Sequence, residues 1–459
     1  MNKYFLSDEQ LQVRDAVRRF AAERITPQAR HIDESDTFPR ALFDELAAQG
    51  WLGARVAPEF GGAGCDAVTA CLILEEVSRA SGSVGNSMNA HLSLVSTLIA
   101  DHGSDAQKAH YLPALCSGRK LGAFGLTEPS GGSNAGDPKT RAVPDGEHYL
   151  ITGSKAFITN AAVADVFLVT ARSESGVSAF ILDRGLPGFD IGPPDRKMGM
   201  HGSPTSMLYF DGVRVPRSRM LGAEGRGFKA FARALDLGRV NVAALIVGLA
   251  QAAYDAAASY VQQREQFGRP VAAFQGVQFP IADMATGLEA ARLLTLNAAR
   301  MFDAGMPIKL ESSMAKHFAA EAALRICDTA IALHGGYGPG RTAFGEQFHR
   351  AAYALCAMTG NVGIPGGNAG TSNGATGRGG IQALPTGENP VDGRVSSPLL
   401  ADLLERGKAG GYPADVKMIY SCAGDLFNQL PNVTRILKGV ERLDFVVVQD
   451  HFVTPTARY

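Results

Sequence analysis

The chain is poor in the features that mark a special environment. It holds six cysteines in 459 residues (Cys65, Cys71, Cys116, Cys327, Cys356 and Cys422), scattered and without a C-x-x-C pair. Such thiols exclude a disulfide framework, give no metal-ligand spacing and imply a reducing compartment. The formal net charge is only -1. That excludes a globally basic surface, so neither nucleic acid nor an anionic membrane is an expected partner. MNKYFLSDEQ has no basic region followed by an apolar run, and no apolar stretch reaches the length of a membrane span. A soluble, cytoplasmic protein is expected. What the chain does have is apolar content: 46% hydrophobic residues over this length support two or three domains with self-sufficient cores.

Periodicity divides the chain. Ser7 and Gln10 form a capping-box pattern, and Val13, Ala16, Val17, Phe20 and Ala21 recur on one helical face until Ile25, Thr26 and Pro27 predict a stop. Similar spacing around Leu42 to Leu46, Val68 to Val77 and His91 to Ile99 predicts an all-α domain over 1–119. From Leu121 short β-like runs alternate with Gly, Pro, Asp and Ser: Tyr149 to Thr152, Ala156 to Thr159, Val166 to Ala171, Val177 to Leu182 and Met207 to Phe210. They predict a small β-barrel or sandwich over 120–225, with Asp211-Gly212 and Pro216 as closing turns. Three long apolar stripes after Phe228 predict an antiparallel helical bundle over 226–338. A Gly-rich stretch after Thr359 leads to apolar runs at Val416 to Tyr420 and Phe445 to Gln449, flanking a helical pattern near Leu426 to Leu437. That order outlines a βαβ unit within 339–459. The fold class expected is multidomain α+β with an α/β fragment at the C-terminus.

The segment FGLTEPSGGS, Phe124 to Ser133, sets hydroxyls and a carboxylate among glycines where helix gives way to strand. Glycine lets backbone N–H groups approach a flat polar ligand. Composition alone favours an ordinary surface loop. Three further motifs follow in order: KAFITN at Lys155 to Asn160, REQFGRPVAAFQ at Arg264 to Gln275, and LHGGYG at Leu333 to Gly338.

Taken together, these four motifs closely resemble the acyl-CoA dehydrogenase family. The resemblance implies FAD as cofactor, an acyl-CoA thioester as substrate and α,β-desaturation with hydride passing to flavin N5. It also implies an electron-transferring flavoprotein as acceptor and a homodimer or homotetramer. It places Phe124, Leu126 and Thr127 along the isoalloxazine ring and Ser133 near the phosphates or the acyl-CoA entrance. Phe157, Ile158 and Thr159 would cover the other edge, with plain core packing the alternative for Phe157. Arg264, Phe267 and Gln275 would reach a neighbouring subunit's FAD, and Gly335 and Gly336 its adenosine portion. Asp236 and Arg239 in LDLGR match substrate-contacting positions, with a helix-start ion pair as the alternative. Asn134 and Ala332 stand where the family commonly has Asp and Gln.

One part of the family pattern is missing. Removing a Cα proton needs a carboxylate held in a dry pocket. Most of the family supplies it from a YEGT-like segment after GGYG, where this chain reads CAMTGNVG. Relatives that place it on the bundle helix do so at the position of Gly238. Glu346 follows GGYG too closely to substitute and reads as a helix-surface carboxylate. From about Pro339 the chain instead resembles a fragment of the molybdopterin oxidoreductases related to dimethyl sulfoxide reductase. Asn428, Gln429, Gln449 and Asp450 match pterin-contacting positions there, while Cys422 sits in the wrong motif to ligate a metal. Three readings stay open: an impaired acyl-CoA dehydrogenase, a non-catalytic flavin or acyl-CoA binder, and a nonfunctional gene-fusion product.

Overall fold

The computed structural model describes residues 4–334, 399–412, 415–422 and 433–449. Gly335, Gly336, Glu346, Asn428, Gln429 and Asp450 lie outside the described residues. The chain divides into two compact units, Met1–Ala369 and Gly370–Tyr459.

The first unit opens with α1 (Asp8–Phe20), and the expected capping box forms: Gln10 N–H donates to Ser7 Oγ at 3.1 Å, while the Gln10 side chain accepts from Ser7 N–H. The expected stop at Ile25 to Pro27 does not occur. A single π turn over Ala21–Ile25 carries the chain into α2 (Thr26–Ser35), where Pro27 sits in the first turn and its missing N–H costs nothing. Next come α3 (Arg40–Ala48) and α4 (Ala67–Ala80), the latter buried along nearly its whole length. Asp66 caps α4 by accepting from Thr69 N–H, and Asp303, from the far end of the chain's bundle, accepts from Ala67 and Val68 N–H at 2.8 and 3.2 Å. The helices α5 (Gly82–Asn89), α6 (Thr97–His102) and α7 (Asp105–Cys116) complete this part, with a π segment, Ala90–Ser96, joining α5 to α6.

Eight strands then form one sheet: β1 (Gly122–Gly125), β2 (Arg141–Asp145), β3 (His148–Thr159), β4 (Val166–Ser173), β5 (Gly176–Asp183), β6 (Phe189–Ile191), β7 (Thr205–Pro216) and β8 (Met220–Leu221). The order is β6-β7-β3-β2-β4-β5-β8, with β1 parallel to β4. Two expected strands, around Tyr149 and Ala156, are one strand, because β3 absorbs irregularities at Ile151/Gly153 and Lys155/Ile158. Asp211-Gly212 is likewise not a closing turn. β7 runs through it, and the extra residues bulge where Phe210 pairs with Gly153 and Val213 with Ile151, Gly212 taking φ 61°.

The bundle consists of α8 (Gly227–Gln263), α9 (Gln275–Asp303) and α10 (Lys309–Leu333), with a short hairpin of β9 (Glu265–Gln266) and β10 (Arg269–Pro270) between the first two. α8 crosses α4 so closely at Gly248 that a Cβ there would lie 2.2 Å from the Glu75 carbonyl oxygen. By length and composition α8 alone among the described helices is apolar enough to cross a membrane, contrary to the expectation that no stretch would be. Leu237, Val240, Ala244 and Val247 explain that composition, since they enter the main helical core.

In the second unit α11 (Leu400–Arg406) is followed by β11 (Met418–Cys422), α12 (Val433–Val440) and β12 (Phe445–Gln449). The strands pair in parallel, with Met418 opposite Phe445 and Cys422 opposite Gln449. The helix expected near Leu426 to Leu437 begins outside the described residues, which show it over Val433–Val440. Among the unit's described residues Ala401, Ile436 and Val440 form a small buried apolar cluster.

Candidate active site

Six of the residues singled out in the sequence meet at one cavity of about 280 Å³: Phe124, Leu126 and Thr127 from the end of β1 and the loop beyond it, and Phe157, Ile158 and Thr159 from the end of β3. The register slip between Lys155 and Ile158 is what presents the second trio. It turns Phe157 into the left-handed region at φ 60°, an uncommon state for an aromatic residue, and leaves its ring 72% exposed while Ile158 is buried. Phe157 is therefore not packed in the core of the described residues. Phe124 is braced from behind by a stacked Phe231 of α8, their ring centroids 4.4 Å apart.

A buried ion pair joins the two trios. Lys155 Nζ, fully enclosed, donates to Glu128 Oε1 at 2.8 Å, to Thr170 Oγ1 at 3.1 Å and to the Leu126 carbonyl at 3.2 Å. Glu128 also accepts from Lys139 N–H at 2.6 Å and Thr140 N–H at 3.1 Å. Burial pushes the Glu128 pKa upward, but the Lys155, Thr140 and Lys139 donors outweigh it and hold the carboxyl down to about 2. Burial lowers the Lys155 pKa. The pair fixes the loop from Leu126 to Thr140 against β3, and Ala156 N–H reaches the Thr127 carbonyl at 2.8 Å. Beyond Thr159, Asn160 (φ 66°) is fully buried and donates from Nδ2 to the Ser87 carbonyl at 2.8 Å and to the Gly122 carbonyl at 3.3 Å.

The far wall was not anticipated from sequence. It consists of Asn86, Asn89, Ala90 and Leu94 from α5 and the segment after it, with Leu235 and Val242 of α8. Leu235, Gly238 and Val242 are spaced three and four residues apart, so Gly238 shares the cavity-lining face of α8. A Cβ on Gly238 would meet only Leu94 Cδ2, at 3.1 Å. No Asp or Glu is among the described residues that line the cavity.

The remaining sequence candidates fall elsewhere. Ser133 lies in the exposed turn beyond Gly132, and Asn134 lines an adjacent pocket of about 200 Å³. Asp236 and Arg239 form the ion pair weighed as an alternative, at 2.6 Å. Arg264, Phe267 and Gln275 stand on or beside the hairpin after α8 (Glu265–Gln266 paired with Arg269–Pro270), all exposed. Phe267 is the extreme, 92% exposed with φ 55°.

Family models for the acyl-CoA dehydrogenase N-terminal, middle and C-terminal domains match residues 7–119, 123–213 and 225–365. An acyl-CoA dehydrogenase of Bacillus subtilis is 42% identical over 338 residues, 72% of this chain and 89% of that protein. The chain belongs to the acyl-CoA dehydrogenase family. Members are FAD-dependent oxidoreductases acting on CH–CH groups. The solved butyryl-CoA dehydrogenase from Megasphaera elsdenii superposes with a TM-score of 0.73 at 37% identity, covering 76% of this chain and 94% of that one. A structure described as the electron transferring flavoprotein of Acidaminococcus fermentans gives the same score at 39% identity, covering 77% and 94%. The C-terminal family match runs to residue 365, past the Gly338 boundary drawn from the motifs.

Proposed function

We propose that this chain binds FAD and an acyl-CoA thioester at the 280 Å³ cavity and that its dehydrogenation is impaired for want of a base. The observation that carries the reading is the convergence of two motif trios on one cavity, with a glycine at the helix position facing it. When bound, the flavin supplies the hydride acceptor for α,β-desaturation. Phe124, Leu126 and Thr127 hold one side of the ring, with the Thr127 hydroxyl as a donor to its polar edge. Phe157, Ile158 and Thr159 hold the other, and Ser133 adjoins the phosphates or the thioester entrance. Asp236 and Arg239 face the coenzyme A portion. What the described cavity lacks is a carboxylate to take the Cα proton, which general-base catalysis makes worth about 10²–10⁴ in rate. Bound ligand with little turnover, a flavin or acyl-CoA binder, is therefore the second reading.

The assembly proposed is a homodimer or homotetramer. Arg264, Phe267 and Gln275, with Gly335 and Gly336, would contact the FAD of a neighbouring subunit, a role supported by an aromatic ring held almost wholly in solvent on a strained backbone. An electron-transferring flavoprotein is the proposed electron acceptor. The domains are taken as 1–119, 120–225, 226–338 and 339–459. The last is proposed to derive from a molybdopterin oxidoreductase by gene fusion, an origin that resequencing across Gly336 to Gly340 tests.

Purified protein should be yellow, and anaerobic butyryl-CoA should perturb the flavin spectrum with slow bleaching. Gly238→Glu should speed bleaching, because it puts a carboxylate on the cavity-lining face of α8, at a position where a Cβ meets only Leu94 Cδ2 at 3.1 Å. Unchanged bleaching in a flavin-loaded variant would sink the assignment of Gly238 as an empty base seat. Protein without flavin would favour the nonfunctional fusion.

A further inference from the structure

The wall opposite the flavin loops is aliphatic at Ala90, Leu94, Leu235 and Val242, yet Asn89 stands among them, 4% exposed. Its carboxamide ends a buried relay. Cys71 Sγ–H donates to Asn241 Oδ1 at 3.6 Å, Asn241 Nδ2 donates to Ser93 Oγ at 2.6 Å, and Ser93 Oγ–H donates to Asn89 Oδ1 at 2.6 Å. Every member is buried. The direction follows from Asn241: with its Nδ2 donating to Ser93 Oγ, the Ser93 hydroxyl hydrogen is left for Asn89 Oδ1, while burial keeps the Cys71 thiol protonated. Turning the Asn89 amide over would aim two N–H groups at Ser93 Oγ and leave the hydroxyl hydrogen without an acceptor. Asn89 is thus set with Oδ1 inward. Its Nδ2 has no hydrogen-bond partner among the described residues.

We propose that Asn89 determines substrate specificity by donating to an oxygen on the acyl group, so that the chain takes short acyl-CoA thioesters bearing a hydroxyl, ether or carbonyl oxygen. The inference rests on the reading that the acyl group lies between the flavin loops and this wall. A hydrocarbon chain would cover the N–H and leave it unpaired. The expected result is about a ten- to hundredfold preference for the oxygenated thioester.

The test is binding to the flavin-loaded full chain, which needs no catalytic base. Kd values are read from the flavin absorbance shift for two isosteric pairs, 4-hydroxybutyryl-CoA against pentanoyl-CoA and 3-hydroxybutyryl-CoA against isovaleryl-CoA. In at least one pair the oxygenated partner should bind about ten- to hundredfold tighter, and Asn89→Leu should abolish or invert that preference. Ser93→Ala keeps Asn89 but frees its amide to turn, so the preference should shrink without loss of flavin. Equal or tighter hydrocarbon binding in both pairs, or a preference that survives Asn89→Leu, overturns the proposal while leaving the cavity an acyl site. No absorbance shift with any thioester overturns the underlying reading as well.

Discussion

In the first unit the Lys155 ammonium is wholly enclosed and answered by Glu128, a hydroxyl and a carbonyl, whereas in the second Arg435 meets Asp402 and Glu405 at the surface. β4 is buried at seven of its eight positions. In the parallel pair β11 and β12, Met418 and Phe445 are 51% and 60% exposed. The difference is one of layers. A strand with neighbours on both edges and helices over a face can bury charge if every donor is met, while the described residues of the second unit, two strands and a small helix pair, leave a face and two edges open.

The largest expected effect comes from breaking the enclosed pair. Lys155→Met strands the Glu128 carboxylate and should cost about 3–5 kcal/mol in urea unfolding, with loss of flavin. A cost below about 1 kcal/mol would show that the backbone donors alone hold the loop.

Acid should reveal the same asymmetry, through groups that the second unit has no buried equivalent of among its described residues. His91 is fully buried; burial lowers its pKa from 6.5 to about 4, and its Nδ1 accepts Gly122 N–H at 3.1 Å. Stability from keeping it neutral is complete above pH 6.5 and is lost as pH falls toward 4. Glu128 follows from 4.5 down to about 2, its ionised form being the one the fold favours. Each transition is worth about 3 kcal/mol by linkage. Urea midpoints taken across this range should fall in both windows, and His91→Gln should remove the upper one.

A smaller effect, about 2 kcal/mol, is expected for Ile436→Ala, because so small a core collapses readily around the lost methylenes. Hydrogen exchange should quicken in α11 and α12; unchanged exchange there would show that Ile436 does not hold the pair. Least of all, Asp236→Asn removes a half-exposed pair and should shift stability by less than about 1 kcal/mol in thermal melts.

The helix, sheet, helix succession was legible because apolar residues recur at a fixed period, whereas both cavity trios were legible only through the family resemblance, since composition alone favoured a surface loop at Phe124 to Ser133. Glu128 and Lys155 were legible in principle, lying inside the two quoted motifs with opposite charges, but their pairing appears only once β3 lies beside the loop. Asn86, Asn89, Ala90 and Leu94 carry no motif, and only the crossing of α5 behind the sheet makes them a wall. The stop misjudged at Pro27 and the turn misjudged at Asp211-Gly212 share a cause. Each signal marks a local irregularity, and tertiary packing carried the helix or strand through it.

Asn160 has a thermodynamic consequence of its own. One carboxamide clasps the carbonyls of Ser87 in α5 and Gly122 in β1, immediately after the residues that face the cavity. Occupancy of the cavity therefore also stabilises the parts of the first unit that lie away from its walls, by mass action on a shared folded state. A calorimeter should record the helical and sheet parts of the first unit as one endotherm, and saturating ligand should move that endotherm upward intact.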